Sequence, residues 1–253
     1  MRKNTAKQRW KEGGQTVGAW LTQPGGHGAE VLAHVGFDWL CIDCQHGLVD
    51  YAAMVEMLRA ISTTATTPLV RVSQNDPAEI MRALDAGAYG VIVPLIETAE
   101  DAQRAVAACR YPPEGKRSSG PIRGVLYGGA DYVAHANEEI AVIGMIETAP
   151  ALENLDAILA TPGLDVAYVG PSDLAFALGL EPRGDNDDPL HIRTVEEILA
   201  ACRRHGVVAG IHTGSRTFSR RWLDAGFQMV TLGSDTGFLR ERARSELREL
   251  QEK

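Results

Sequence analysis

Cysteine is scarce in this 253-residue chain, and its four cysteines are too scattered to form a disulfide framework. Cys41 and Cys44 form a C-x-x-C pair, while Cys109 and Cys202 stand alone. The pair falls within a predicted strand, where residues three apart point to opposite faces of the sheet. The sequence therefore excludes a zinc site shared by this pair, and we expect the cysteines to be packing residues.

Long apolar runs and an excess of positive charge are also missing. No stretch approaches the ~18 consecutive apolar residues of a membrane helix, and the charged residues 1–14 are not followed by the apolar core of a signal peptide. The formal charge of −8 and the pI near 5.4 argue against nucleic acid or an anionic membrane as a partner. We therefore predict a soluble, cytoplasmic protein that acts on small molecules.

The chain instead contains eight short apolar runs, each followed by a segment whose apolar residues have helical spacing. The predicted strands span residues 15–22, 37–47, 67–73, 90–97, 140–148, 164–173, 207–215 and 227–235. The predicted helices span residues 26–36, 50–62, 76–88, 98–111, 131–139, 151–161, 173–180, 191–206, 215–226 and 238–250. Residues 112–129 are rich in Gly, Pro and Ser, show neither period, and are predicted to be a functional loop.

This alternation predicts an α/β fold, a (β/α)₈ TIM barrel that forms one domain over residues 1–253. The alternative, an open doubly wound sheet, is expected to carry a G-x-G-x-x-G turn after an early strand, and the chain has none. In a barrel, the active-site groups come from the C-terminal ends of the strands. Polar residues at those ends are therefore the candidates for function.

Polar residues do occur where the apolar runs stop. They are Asp43, Gln45 and His46 after the second strand, Arg71 on the third, Glu97 after the fourth, Glu147 after the fifth, Ser172 and Asp173 after the sixth, His212 and Ser215 after the seventh, and Ser234 and Asp235 after the eighth. The fold predicts that these side chains meet at one end of the barrel.

Glu147 and Asp173 make the simplest pair of metal ligands in this set. Two carboxylates can hold a hard divalent cation and leave positions for waters and a bidentate substrate such as a 2-oxo acid. The alternative is that Asp173 caps the following helix and that Glu147 is a solvated strand end.

His46 and Arg71 are candidates for proton transfer and anion binding. His46 can act as a general base, with Asp43 orienting it or raising its basicity. Arg71 interrupts an apolar strand, and its guanidinium suits a substrate carboxylate or a developing enolate. The alternative for Arg71 is an internal ion pair with an acid of the barrel.

The segments 212–215 (HTGS) and 232–235 (LGSD) resemble the phosphate site common in barrels. They keep a phosphosugar enzyme open as a competitor, and His212 itself is interpreted as a polar lining residue. On its own, Asp85 is interpreted as a surface acid beside Arg82.

Lysine is scarce as well, and this absence bears on mechanism. The lysines are Lys3, Lys7, Lys11, Lys116 and Lys253, none of them in a predicted strand. A Schiff-base aldolase needs a lysine inside the barrel. Metal-assisted enolisation is therefore the natural route if this barrel performs carbon–carbon chemistry.

Over nearly its whole length the chain resembles the HpcH/HpaI class II aldolases, which are related to citrate lyase β subunits. The segments that carry the resemblance are FDWLCIDCQHGLVDY (37–51), PLVRV (68–72), IMRALDAGAYGVIVPLIET (80–98), YPPEGKRSSGPIR (111–123), MIETAPALENLDAIL (145–159), VGPSDLAFALG (169–179) and VTLGSD (230–235). The resemblance implies a TIM barrel that uses Mg²⁺, Mn²⁺ or Co²⁺ to bind pyruvate or a close relative as an enolate and add it reversibly to an aldehyde.

The resemblance also implies a role for individual residues. It makes Glu147 and Asp173 the metal ligands, Arg71 the group on the 2-oxo acid, and His46 with Asp43 the acid/base element. It restores Asp85 as an acid near the active site. The backbone of Gly170, Pro171 and Ser172 would bind the carboxylate of the donor.

Two positions depart from the family pattern, namely Gln45, where many members have Glu, and Ser172, where Asn or Ala is familiar. With Gln at this position the chain is more similar to members that act on hydroxypyruvate or sugar-derived 2-oxo acids, and Gln45 is counted among the substrate-binding residues. The preferred donor and acceptor stay open.

The family forms hexamers, dimers of trimers, in which the last helix packs on a neighbouring subunit. Here Leu239, Ala243, Leu247 and Leu250 form an apolar stripe on the last predicted helix. The stripe suits such docking, and it would equally suit packing on the chain's own barrel.

Three functions are therefore open at this point. A metal-dependent 2-oxo acid aldolase leads. A phosphate-binding barrel isomerase or lyase would bind phosphorylated ligands at Gly214 and Gly233 without a metal requirement. A non-catalytic carboxylate-binding barrel would bind metal and pyruvate without turnover.

Overall fold

The computed structural model describes residues 1–252, and its sheet is a closed barrel of eight parallel strands in chain order. The strands are β1 (Thr16–Leu21), β2 (Trp39–Asp43), β3 (Thr67–Arg71), β4 (Gly90–Val93), β5 (Ala141–Ile146), β6 (Val166–Val169), β7 (Val208–Ile211) and β8 (Met229–Ser234). Each predicted strand has an observed counterpart, which confirms the (β/α)₈ TIM barrel.

Helices follow every strand and form the outer layer. Within the described range they are α1 (Thr5–Lys11), α2 (Gly26–Ala33), α3 (Tyr51–Ile61), α4 (Pro77–Asp85), α5 (Ala99–Cys109), α6 (Ile122–Gly128), α7 (Tyr132–Glu139), α8 (Ala149–Glu153), α9 (Leu155–Leu159), α10 (Pro171–Ala177), α11 (Pro189–His205), α12 (Arg216–Ala225) and α13 (Asp235–Gln251). In residues 1–252 no helix is long and apolar enough to cross a membrane.

Large side chains fill the inside of the barrel, so it is a packed core rather than a pore. Trp39, Ile143 and Tyr168 are fully buried in this inner cluster, and a second apolar layer lies between the strands and the helices. All four cysteines are free, and three of them are buried. A ligand can therefore reach the strands only at an end of the barrel.

Helix α1 is absent from the sequence-based prediction, which treated this segment as a polar lead. Asn4 caps it by accepting a hydrogen bond from the Lys7 N–H, and Trp10 Nε1 donates to Thr16 Oγ1 over 2.7 Å. Lys7 is buried because its Nζ lies 2.9 Å from a carboxylate oxygen of Asp165. The helix closes the amino-terminal end of the barrel, where a pattern based on apolar residues could not show it.

The predicted loop at 112–129 was wrong in its second half, because residues 122–128 form helix α6. The glycines within this helix allow close packing and do not mark a turn. A Cβ atom on Gly128 would lie 2.6 Å from the ring of Tyr132. Further along, the single helix predicted for 151–161 is two short helices, α8 and α9, which meet at Asn154.

Candidate active site

Arg71 and Asp43 form a buried, two-pronged ion pair at the carboxyl ends of β3 and β2. The two residues are neighbours in the register of these strands. Arg71 Nε donates to Asp43 Oδ1 over 2.9 Å, and Arg71 Nη2 donates to Asp43 Oδ2 over 2.6 Å. The internal ion pair that was the alternative for Arg71 is therefore present. Within residues 1–252, the hydrogen-bond partner of the other terminal nitrogen, Nη1, is the sulfur of Met145 at 4.0 Å, and no salt bridge forms at this nitrogen.

Asp43 binds the backbone of the following turn, not the imidazole of His46. It accepts hydrogen bonds from the N–H groups of Gln45 and His46, over 3.1 and 3.2 Å. Burial alone would raise the pKa of Asp43, but the guanidinium and these N–H groups hold that pKa below its usual range. The predicted orienting contact from Asp43 to the His46 ring is not formed, because strand register gives the carboxylate a better partner in Arg71.

The turn after β2 places Gln45 and His46 differently. His46 is exposed, while the side-chain oxygen of Gln45 is buried and has no hydrogen-bond partner within residues 1–252. Gly47 permits this turn, because a Cβ there would come within 2.2 Å of the Asp43 carbonyl oxygen. The turn therefore presents one exposed imidazole ring and one unsatisfied amide oxygen.

Trp20, a residue that the sequence reasoning did not single out, lies between Arg71 and His212. Arg71 Cζ lies 4.4 Å from the centre of the Trp20 ring, and the His212 ring meets the same indole edge-on at 5.1 Å. Burial, together with the Arg71 guanidinium, lowers the pKa of His212 to about 4. His212 is therefore a neutral lining group at ordinary pH. An inward-facing aromatic at the end of a strand was the only signal for Trp20.

Glu147 is a buried carboxylate at the end of β5, with only 3 % of its surface exposed. The Leu95 N–H donates to its Oε1 over 3.1 Å. Burial raises the pKa of Glu147 to about 7, and the nearby carboxylate of Asp173 adds to that rise. The interpretation of Glu147 as a solvated strand end is thus wrong.

Asp173 lies in the first turn of α10 and is exposed. It is not the N-cap of that helix, because the N-cap is Gly170 and the helix begins at Pro171. Gly170 lies against Glu147 so closely that a Cβ there would come 2.0 Å from Glu147 Oε2. The glycine lets the β6–α10 turn bring Asp173 towards the buried carboxylate.

These two carboxylates fit a divalent cation. Both offer hard oxygen donors, and a buried carboxylate with a raised pKa beside a second acid gains most from a compensating positive charge. Within residues 1–252 no cluster of three or more His, Cys, Asp and Glu side chains could hold a metal ion. A cation here would keep most of its coordination positions for water and substrate.

His191 supports the turn at residues 170–172 through a hydrogen bond, and the sequence reasoning missed this residue as well. The Nε2 atom of this buried histidine lies 3.0 Å from the Pro171 carbonyl oxygen, a hydrogen bond in which the ring donates. The turn that carries Pro171 and Ser172 is therefore fixed against α11.

Asp85 does not join this cluster within one chain. It is the last residue of α4 and lies at the amino-terminal end of the barrel, opposite the carboxyl ends of the strands. There it accepts a hydrogen bond over 2.8 Å from buried Arg117. Arg82 does not pair with it, and instead lies over the Tyr51 ring at 3.9 Å. The catalytic role implied for Asp85 by the resemblance stays a prediction.

The segments proposed as a phosphate site are largely engaged in other contacts. The Gly214 N–H donates to the Asp185 carboxylate over 2.8 Å, which places a negative charge where a phosphate would bind. Ser215 and Ser234 cap α12 and α13. Asp235 accepts hydrogen bonds from the Thr22 N–H and hydroxyl.

Comparison with known proteins gives a consistent picture. The family model for HpcH/HpaI aldolase/citrate lyase matches residues 17–241. A hydroxypyruvate/pyruvate aldolase of Rhizorhabdus wittichii is 39 % identical over 241 residues, which are 95 % of this chain and 96 % of that protein. A 5-keto-4-deoxy-D-glucarate aldolase of Klebsiella pneumoniae is 40 % identical over 226 residues, 88 % of each chain.

Solved structures of the same family are also similar to this chain. An HpcH/HpaI aldolase/citrate lyase family protein from Burkholderia cenocepacia superimposes with a TM-score of 0.92 at 37 % identity, covering 98 % of this chain and all of that one. The family model spans most of the barrel, including every strand end described above. The chain belongs to the HpcH/HpaI aldolase/citrate lyase family.

Proposed function

We propose that this class II aldolase holds a divalent metal ion, Mg²⁺, Mn²⁺ or Co²⁺, at Glu147 and Asp173 and adds the enolate of a pyruvate-type 2-oxo acid reversibly to an aldehyde. The observation that carries the proposal is the buried Glu147 carboxylate. Its pKa is raised by burial and by the neighbouring Asp173, and a bound cation would stabilise its charged form. The name of the Rhizorhabdus wittichii relative supports pyruvate or hydroxypyruvate as the donor.

A bound divalent ion would supply Lewis-acid polarisation of a carbonyl oxygen. Arg71 supplies fixed positive charge near that position, because Asp43 holds two of its nitrogens and leaves Nη1 for a ligand. A guanidinium held in this way can bind the 2-oxo acid or the negative charge that develops on enolisation without having to reorganise. Trp20, stacked on the same guanidinium, limits its contact with water.

His46 is the residue to move the proton. It is exposed at the carboxyl ends of the strands, and its imidazole can act as a general base or acid towards a bound substrate. Asp43 fixes its backbone and not its ring, so we expect the substrate to complete the orientation of the imidazole. The backbone of Gly170, Pro171 and Ser172 would hold the donor carboxylate, and Gln45 offers its unsatisfied oxygen to a substrate hydroxyl.

The last helix supports an assembly of several copies. No residue of α13 is buried within the chain, and Leu239, Leu247 and Leu250 are each more than half exposed. A surface of this kind marks a protein contact. We propose that α13 packs on a neighbouring subunit of a hexamer, a dimer of trimers. The cytoplasmic location predicted from the sequence stays a prediction.

The test is an aldol assay on EDTA-treated protein with pyruvate or hydroxypyruvate as donor and glycolaldehyde as acceptor. We expect activity only after Mg²⁺, Mn²⁺ or Co²⁺ is added, and none in Glu147→Gln or Asp173→Asn. Glu153→Gln, an exposed acid on α8, is the matched control and should behave like the wild type. Full activity in either metal-site variant would disprove the assigned pair, and metal and pyruvate binding without turnover would favour the non-catalytic barrel.

A further inference from the structure

Leu95 has the most unusual backbone near the site. Among residues 1–252 it is the only one other than glycine with a positive φ, at 54°. A side chain with a Cβ atom is strained in this left-handed conformation, and glycine would adopt it freely. Strain of this kind persists where surrounding structure imposes it, often at a functional site.

The position of Leu95 ties this strain to the proposed metal site. Its N–H donates to Glu147 Oε1 over 3.1 Å, which places the Leu95 backbone in direct contact with the buried carboxylate. That hydrogen bond uses only the backbone, and a glycine could make it as well. The contact explains the turn but does not explain the leucine.

The core does not explain the leucine either. Val93 and Ile96, on either side of the turn, are fully buried, whereas Leu95 is 53 % exposed. A large apolar side chain is thus kept in solvent, in a strained conformation, at the C-terminal end of β4 where substrates must enter. Apolar contact with a ligand would offset both costs.

We propose that Leu95 is a specificity-determining residue that packs against the carbon chain of the acceptor aldehyde. The inference rests on the proposed function, since it presumes that an aldehyde approaches beside Glu147. It assigns the acceptor an apolar segment next to the reacting carbonyl, whereas Arg71 and the 170–172 turn serve the donor.

Three variants and one control test this role. Leu95→Gly keeps the N–H and removes both the side chain and the strain, so it should fold at least as well as the wild type. Leu95→Asn also tolerates the conformation but is polar, and Leu95→Met keeps an apolar chain. Leu126→Ala, an exposed leucine on α6, is the control. Steady-state kinetics are measured with pyruvate as donor and either butanal or glycolaldehyde as acceptor.

We expect Leu95→Gly and Leu95→Asn to lower kcat/KM for butanal by about tenfold relative to glycolaldehyde, the usual effect of losing apolar contact in a specificity pocket. Leu95→Met should restore the preference, and KM for pyruvate should stay unchanged throughout. An unchanged ratio of the two acceptors would overturn the proposal. So would an equal loss with both acceptors together with a smaller assembly in size-exclusion chromatography, because that marks a subunit contact.

Exchange of the pyruvate methyl protons with D₂O separates this inference from the proposed function. The exchange needs no acceptor, and we expect it to be the same in Leu95→Gly and in the wild type. If the wild type shows no exchange, the proposed function fails. If exchange is normal and the acceptor ratio does not move, only the role of Leu95 fails.

Discussion

Asp43 fixes the position of the Arg71 guanidinium, and this ion pair contributes to the stability of the fold. Both side chains are nearly excluded from water, where an unpaired charge is costly and a two-pronged hydrogen bond is strong. Asp43→Asn removes the negative charge and leaves Arg71 buried alone. We expect it to lower the free energy of unfolding by about 3 kcal/mol and to weaken pyruvate binding.

Urea unfolding at pH 7.5 measures this effect. The control is Asp224→Asn, which breaks an exposed pair with Arg220 on α12 and should cost no more than ~0.5 kcal/mol. If both variants lower the free energy of unfolding equally, the buried Arg71–Asp43 pair contributes no more to stability than an exposed ion pair.

His212 predicts a pH dependence of stability. Its pKa is about 4 in the folded chain, below the ordinary value of 6.5, so the unfolded chain binds a proton at a higher pH than the folded chain does. The stability that it contributes is present above pH 6.5 and is lost as the pH falls towards 4. Between pH 7.5 and pH 5 this loss is up to about 2 kcal/mol. In His212→Gln the fall in unfolding free energy between those pH values should shrink by that amount, and an unchanged fall would contradict the assignment.

At the residue scale, the sequence could indicate which residue types gather at the strand ends but not which of them pair. The partnership of Asp43 with Arg71 depends on the register of β2 against β3, which no local pattern encodes. The strain at Leu95 and the support from His191 are likewise consequences of tertiary structure. Polar residues that end apolar runs, such as Glu147, were visible because that pattern is local.

The β6–α10 turn is the element on which the proposed metal site depends. Gly170 is needed there for a close approach, because a Cβ would overlap Glu147 Oε2. Gly170→Ala should therefore displace the carboxylate and weaken Mn²⁺ binding by about 10–100-fold, as changes next to metal ligands do. Isothermal titration of Mn²⁺ measures this, and Gly184→Ala, with no heavy atom within 4 Å of the added Cβ, is the control. Wild-type affinity in Gly170→Ala would place the cation elsewhere.

At the element scale, the predictions succeeded where periodicity is strong and failed where tertiary contacts override composition. The strands were found because buried parallel strands are continuous apolar runs. Helix α1 was missed because its polar residues are compensated by distant partners, such as Asp165 for Lys7. Helix α6 was missed because its glycines, needed for packing on Tyr132, are typical of loops.

At the scale of the whole molecule, the closed barrel brings Arg71 at the end of β3, Glu147 directly after β5 and Asp173 in α10 to one end. Helix α13 is the part of the molecule least explained by a single chain, since none of its residues is buried. Truncation after Phe238 should leave the barrel folded, as judged by far-UV circular dichroism, and should reduce the mass of the assembly in light scattering. An unchanged mass would show that α13 does not hold the subunits together.

The most direct test of the central claim is the exchange of pyruvate methyl protons with D₂O, followed by NMR on EDTA-treated protein before and after Mn²⁺, Mg²⁺ or Co²⁺ is added. In the proposed mechanism, enolisation at this site requires the cation, the Arg71 charge and a base together. We predict metal-dependent exchange in the wild type and none in Glu147→Gln. No exchange with any of the three metals, or equal exchange in the variant, would contradict enolate chemistry at Glu147 and Asp173.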